Sequence, residues 1–457
     1  MKRTASFSFF ACLGSVFLVM AFLDGPWAQA EEDRAARIRA QMGTQAPAQP
    51  VESALQELSQ EISSNLASIS ARLTVIEKDM VDLKARLRVL ENRNQTSGKY
   101  LDPAASAPEN LRGNPVAREP GRRKPAAGKA LVTYCASGCD ASDLTEAVKQ
   151  VAEGGVIALA PGDYTDCVII KKSLKLVGKT GPDGARAHFK NTACGGTATF
   201  VISAPEVTIE GLKITGVSVP DQNGACFRVG PKAKTVRIHD ILCSDSQEGL
   251  LGGTAKGGSL TIERSTFENN GFGGRAHDIY INSGTDVILR SVRILSAKNG
   301  HLLKSGASNL LVENSVLAAL GGDTGRALDI YGGGKLTIRN SVIQLGPKTQ
   351  NHDLIAYALE SGRLVKDAPH ELVIEKNWMI YDDPDRCCRY LFNKNSQILG
   401  AFSFRDNYIV GDITPVLSEV DMGLNKVFED RGEAGLGEYD GTLASLPKPG
   451  SIPAAAN

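Results

Sequence analysis

The sequence predicts an all-β protein, a right-handed parallel β-helix solenoid with an N-terminal helical cap, preceded by a coiled-coil helix. Three observations carry this. A strand, polar corner and second short strand recur about every 26 residues from Val207 onward, a period of solenoid type. Glycine makes up 47 of 457 residues without a triplet period, as a fold with many tight turns needs. A separate run, from Val51 to Leu90, spaces its apolar residues by threes and fours, the signature of a coiled coil.

Residues 1–30 hold Lys2 and Arg3, an apolar run from Phe7 to Leu23, and Ala28-Gln29-Ala30, the pattern of a cleaved export leader. An uncleaved anchor is the rival reading, because the run sits at the lower length limit for crossing a bilayer. After cleavage no membrane span is expected, and the mature chain is exported: periplasmic, cell-surface or secreted. A flexible segment, 31–50, follows.

In the coiled coil of residues 51–92, Leu66, Leu73, Met80 and Leu87 occupy a, and Ile69, Ile76, Leu83 and Leu90 occupy d. A parallel in-register pair then matches Arg72 with Glu77, Asp79 with Lys84, and Arg86 with Glu91, all opposite in sign. The expected partner is therefore another copy of the chain, in a homo-oligomer through residues 51–92. Residues 93–130, with Pro103, Pro108, Pro115, Pro120 and Pro125, read as an extended linker.

The β-helix is expected over 131–410 and a cap and tail over 411–457. A helix near Ser142–Ala152, with Leu144, Ala147, Val148 and Val151 on one face, is a plug for the open core. The repeating segments begin at Val207, Val236, Leu260, Val287, Leu310, Leu336, Leu372 and Phe402. Propeller blades need about 40 residues each, so stacked coils fit better. Setting aside Cys12 of the leader, eight of nine cysteines remain, an even count that favours disulfides in an exported chain. Cys135 with Cys139, and Cys226 with Cys243, are close enough to pair; adjacent Cys387 and Cys388 suit two different partners. Lys plus Arg (51) balances Asp plus Glu (51), which argues against nucleic acid as a partner.

The short amphipathic helix, GGVIALAPGDY from Gly154, LKLVGKTG from Leu174 and the coils that follow resemble the right-handed parallel β-helix superfamily that includes pectate lyases and polygalacturonases. The resemblance covers roughly residues 131–410 and implies an acidic polysaccharide as partner. The aspartate constellations of those two enzymes, and the Asp-Pro-His-Asp signature of alginate epimerases, are not evident.

A second series runs between the repeats, at Ala225, Gly249, His277, His301, Leu328 and Leu354. Two members are near-duplicates, Arg275-Ala-His277-Asp278-Ile279-Tyr280 and Arg326-Ala-Leu328-Asp329-Ile330-Tyr331. Strand alternation then turns Ile279, Leu303 and Ile330 inward and puts Arg228, Asp278, Tyr280, Lys304, Asp329, Tyr331 and Tyr357 on the outer face. Cleavage beside a uronate needs a cation, a base for the C5 proton and an acid for the leaving oxygen. Arg275 and Arg326 are candidates to neutralise the carboxylate, Lys304 or Tyr280 to act as base, and His277, His301 or Tyr331 as acid; Arg228 and Tyr357 are candidate substrate contacts. A hydrolase would instead use Asp278 and Asp329, two coils or about 9.6 Å apart. Arg–Asp corner pairs, stacked tyrosines and carbonyl-satisfying histidines in a purely structural ladder give the same pattern. No cofactor is expected. Calcium at Asp163 and Asp166 has no support beyond a turn, and Gly178-Lys179-Thr180 lacks the earlier glycine of a P-loop.

Overall fold

The computed structural model describes residues 128–282, 286–366, 368–383, 390–395, 399–411, 413 and 422–453. The expected leader, flexible segment, coiled coil, most of the linker, and Cys387 and Cys388 lie outside the described residues.

The chain winds through three parallel sheets. The first has eleven strands, from Lys129–Tyr134 to Ala401–Arg405; the second has eleven, from Gly162–Tyr164 to Lys426–Phe428; the third has nine, from Val168–Ile170 to Tyr390–Lys394. Each coil contributes one strand to each sheet in turn, a parallel β-helix. The repeating segments of the sequence form the first sheet, where Val207, Val236, Leu260, Val287, Leu310, Leu336, Leu372 and Phe402 occupy one register position. Two residues on, Ile209, Ile238, Ile262, Leu289, Val312, Ile338, Ile374 and Phe404 form a second inward row, and burial of these two rows builds one wall of the core.

The polar corner has a specific backbone reason. The residue after each strand takes positive φ, as at Asp240 (52°), Arg264 (47°), Asn314 (51°), Asn340 (51°), Lys376 (58°) and Asp406 (57°). This left-handed conformation is uncommon outside glycine and is most accessible to Asn and Asp. The next residue binds the coil below: Ser315 N–H donates to Ser341 Oγ (3.1 Å), Ser341 N–H to Asn377 Oδ1 (2.9 Å), and Asn377 N–H to Asn407 Oδ1 (3.0 Å).

The helical plug is present as α1 (Leu144–Gln150), capped by Asp143, whose Oδ1 accepts from Glu146 N–H at 2.8 Å. Leu144 and Ala147 are buried beneath it. One strand, Lys129–Tyr134, precedes the plug and pairs with Val151–Leu159, so the solenoid starts inside the expected linker. Disulfides join Cys135 to Cys139 and Cys226 to Cys243, as spacing suggested, and Cys167 to Cys194.

The tail does more than cover the last coil. Residues 429–453 run back along the outside of the second sheet. Trp378 Nε1–H donates to the Ser451 carbonyl (3.0 Å), Arg431 pairs with Asp382 (2.7 Å), and the Tyr439 hydroxyl donates to the Leu320 carbonyl. Leu436, Leu443 and Leu446 pack on an apolar cluster of Val316, Ala318, Val342, Trp378 and Ile380.

Candidate active site

The third sheet carries the candidate residues of the second series. Its inward row is Phe227, Leu250, Ile279, Leu303, Leu328, Ile355 and Phe392. The neighbouring position forms an outer row: Arg228, Leu251, Tyr280, Lys304, Asp329, Ala356 and Asn393. Tyr280, Lys304 and Asp329 therefore stand on three successive rungs.

This register corrects the sequence alignment. The two RAxDIY segments do not superpose: Leu328 stacks on Leu303 and Ile279, so Asp329 takes the position of Tyr280 and the second copy is shifted by two residues. A shift of two preserves parity, which keeps Asp329 outward. At Leu354 the shift is odd and parity inverts. Tyr357 falls on the inward row beside Ile330, is fully buried and donates its hydroxyl proton to the Gly334 carbonyl, so it is a core residue and not a substrate contact. Asp278 is also fully buried; its Oδ1 accepts from Asn270 N–H (3.0 Å) and Nδ2–H (2.8 Å). The turn from Asn270 to Ala276 seals it off, which removes it from the proposed hydrolytic pair and from any catalytic role that needs solvent.

Lys304 is the hub. Its ammonium lies 2.7 Å from Asp329 Oδ2 and 2.9 Å from Glu360 Oε1, with only 13% of the side chain exposed. Burial pulls its pKa down, but the two carboxylates outweigh burial and the net shift is upward. Lys304 is thus held as a cation and is unsuited to the role of base. Arg363 completes the network: it pairs with Glu360 at 2.8 Å, donates to the Tyr280 hydroxyl at 2.9 Å, and sits 4.1 Å from the Tyr331 ring centroid. Lys304 approaches the same ring at 5.0 Å. Tyr331 itself is buried, and Gly306 is required there because a Cβ at that position would collide with the Tyr331 hydroxyl. Burial raises its pKa, with further upward contributions from Tyr280 and Glu360, so the phenol keeps its proton.

Glu360 and Arg363 come from the loop after Asp353–Tyr357, which includes a short 3-10 turn, Ser361–Arg363. Glu360 N–H donates to the Tyr331 carbonyl (3.3 Å) and Val365 N–H to that of Gly332 (2.9 Å), fixing the loop over the outer row. The available signal for it was the repeat interval stretched to 36 residues between Leu336 and Leu372, with Glu360 just before the extra residues, about Ser361 to His370. Arg363 itself had none.

His277 and His301 stack face to face, 4.9 Å apart and 6° from parallel. His277 Nδ1 accepts from His301 N–H, and His301 Nδ1 accepts from Arg326 N–H, both at 3.0 Å. Each ring therefore carries its proton on Nε2 when neutral. Burial first, then the facing His301 ring and Lys304 for His277, and Arg326 and Lys304 for His301, press both pKa values down to about 3. The pair is neutral at physiological pH, so neither acts as an imidazolium acid. His301 Nε2 lies 3.4 Å from Asp329 Oδ2 and helps to orient it.

The arginines separate. Arg326 pairs with Asp353 at 2.6 Å and supports His301; Arg275 is exposed on the turn beside Phe272; Arg228 lies two rungs from Tyr280, near buried Glu248. Glu248, unmarked in the sequence, accepts from His277 N–H and is pushed well above the usual carboxylate range by burial. Asp163 pairs with His188 and Lys190, and Asp166 accepts from Tyr134 and Leu144, so neither is arranged for calcium. Among the described residues no cluster of three or more His, Cys, Asp or Glu side chains is placed to hold a metal ion.

Residues 194–353, which span most of these rungs, match the family described as Right handed beta helix region. No curated protein matches the sequence. Among solved structures the chain is similar to a rhamnogalacturonan lyase, at 14% identity, 71% of this chain, 94% of that one and a TM-score of 0.47. It is similar to an alginate lyase from Paenibacillus sp. strain FPU-7 at 18% identity, 65% and 97% coverage and a TM-score of 0.42. A pectin methylesterase from Aspergillus niger follows at 14% identity, 61% and 94% coverage and a TM-score of 0.40. Likeness of this degree assigns no activity to the chain.

Proposed function

We propose that this right-handed parallel β-helix protein is exported, binds an acidic, uronate-containing polysaccharide along the outer face of its third sheet, and cleaves it by β-elimination. The observation that carries the reading is the Arg363 guanidinium hydrogen-bonded to the Tyr280 hydroxyl, beside the Lys304–Asp329 rung. As the phenolate, Tyr280 takes the proton from C5 and, as the resulting phenol, returns it to the leaving oxygen, while Arg363 and Lys304 stabilise negative charge on the phenol oxygen and the uronate carboxylate. Hydrolysis fits less well. It needs a protonated carboxyl group, whereas Glu360 is held below the usual carboxylate range by Lys304 and Arg363 despite its partial burial, and Asp329 is committed to Lys304. Export is supported by the leader pattern and three disulfides.

A non-catalytic glycan-binding role is the second reading. It is favoured by the closed ion-pair network, in which Lys304 and Arg363 already have carboxylate partners. Incubating the full chain with acidic and neutral polysaccharides, and following unsaturated-uronate absorbance together with new reducing ends, separates the two. Elimination gives both signals, and Tyr280→Phe lowers the rate by about 100-fold or more with binding retained. Reducing ends without absorbance would indicate hydrolysis; retardation in an affinity gel without either would indicate binding alone.

A further inference from the structure

The second sheet carries an arrangement that the site above does not use. On its first three strands, Asp163, His188 and Lys213 occupy one register position, and Lys190 pairs with Thr215 two residues on. Asp163 Oδ1 lies 3.2 Å from His188 Nδ1, and His188 Nε2 lies 2.8 Å from Thr215 Oγ1. An ionised carboxylate can only accept, so Nδ1 carries the proton. In the neutral ring Nε2 is then the acceptor, and the Thr215 hydroxyl donates to it. A hydroxyl donating to an imidazole that a carboxylate orients is the arrangement of an activated nucleophile, recognised by geometry rather than sequence order.

We propose that Thr215, His188 and Asp163 form a second, hydrolytic site for carboxylic esters, with O-acylated acidic saccharides as the substrate class. Asp163 and His188 line a recess of about 470 Å³ together with Gly162, Gly184, Arg186 and Lys213, and Thr215 is joined to it through His188 Nε2. Lys213 has no ion-pair partner among the described residues and stands next to His188, where its ammonium can receive the charge of a tetrahedral intermediate. Arg186, fixed by Asp240 at 2.9 Å, adds positive character to the wall and favours an anionic substrate. Burial first, then Lys213 and Lys190, lower the His188 pKa, and Asp163 opposes them without reversing the sign. The ring is therefore neutral and ready to accept a proton at neutral pH.

The chemistry balances with water as the only co-reactant. Thr215 Oγ1 bonds to the ester carbonyl carbon as its proton passes to His188 Nε2. The intermediate collapses, the ester C–O bond breaks, and the alcohol leaves with the proton from Nε2. A water molecule, deprotonated by the same nitrogen, then cleaves the acyl-threonine and restores the hydroxyl. Asp163 acts through His188 and is a positioning residue.

The test uses the full chain with an O-acetylated polyuronate and with p-nitrophenyl acetate, following release of acetate. Thr215→Val and His188→Gln are expected to lower the rate by about 100-fold or more, and Thr215→Ser to retain it. Asp163→Asn should lower kcat with little change in KM and shift the limb of the pH profile, which in the parent rises with its midpoint below 6.5. Unsaturated-uronate absorbance is followed in the same parent and Thr215→Val samples, so failure here and failure of the elimination reading are distinguishable. Melting temperatures of Thr215→Val and parent are compared to exclude misfolding. Parent-like acetate release from Thr215→Val, or none from the parent on either substrate, overturns the proposal.

Discussion

Asp278 is fully buried, and its Oδ2 meets no hydrogen-bond donor. Burial raises its pKa well above 3.8, and does the same for Glu248 relative to 4.5. A carboxyl group raised in the folded state contributes stability that is complete below its unfolded pKa and lost as pH rises towards the folded one. His277 and His301 run the other way. Lowered from 6.5 to about 3, they contribute stability above pH 6.5 that is lost as pH falls towards 3. Above about pH 4.5 the two pairs therefore oppose one another, the histidines favouring the higher pH and the buried carboxyl groups the lower. Asp278→Asn is expected to melt higher than the parent near pH 8, with the gap closing towards about pH 4; identical alkaline limbs in a melting series across pH would contradict this. Strand parity put Asp278 outward, and it could not reveal the turn from Asn270 that closes over the residue. Lys304 and Asp329 were legible as an outer pair, but the second carboxylate that adds to Asp329 in holding Lys304 as a cation is Glu360, 56 residues away.

Among the elements, the first sheet was read from the sequence in correct register and the third was not, for a physical reason. Segments such as Leu336-Thr337-Ile338-Arg339 alternate apolar and polar residues, so only one parity buries the apolar set. Leu354-Ile355-Ala356-Tyr357 is buried at every position, and nothing in its composition distinguishes the two faces. Gly249-Leu250-Leu251 is ambiguous in the same way. The corner ladder gives a direct test of how adjacent coils are joined. Asn377 is fully buried; it accepts from Ser341 N–H and donates to the Ile338 carbonyl at 2.9 Å. Asn377→Ala leaves both groups without that partner and is expected to lower stability by about 1–3 kcal/mol, read from urea unfolding. A change below about 0.5 kcal/mol would mean that the ladder follows from the coil geometry and does not hold it.

At the scale of the whole molecule, the period of about 26 residues was sufficient for the architecture because every coil solves the same packing problem. The heptad pattern of residues 51–92 makes a separate prediction. The full chain should self-associate in light scattering, and Ile76→Asp with Leu83→Asp should reduce it to the monomer mass; an unchanged mass would remove the oligomer reading. Solenoids whose coils touch only their neighbours can open from an end, one coil after another. The returning tail changes that for the C-terminal half. By tying Leu320 on one coil, and Trp378 and Asp382 together two coils further on, to one stretch of chain, it couples their unfolding. The half that bears Asp329, Glu360 and Arg363 then opens as a single cooperative block or not at all. Because the segment that couples it follows all of these coils in the sequence, that block locks only after every coil it ties has been made.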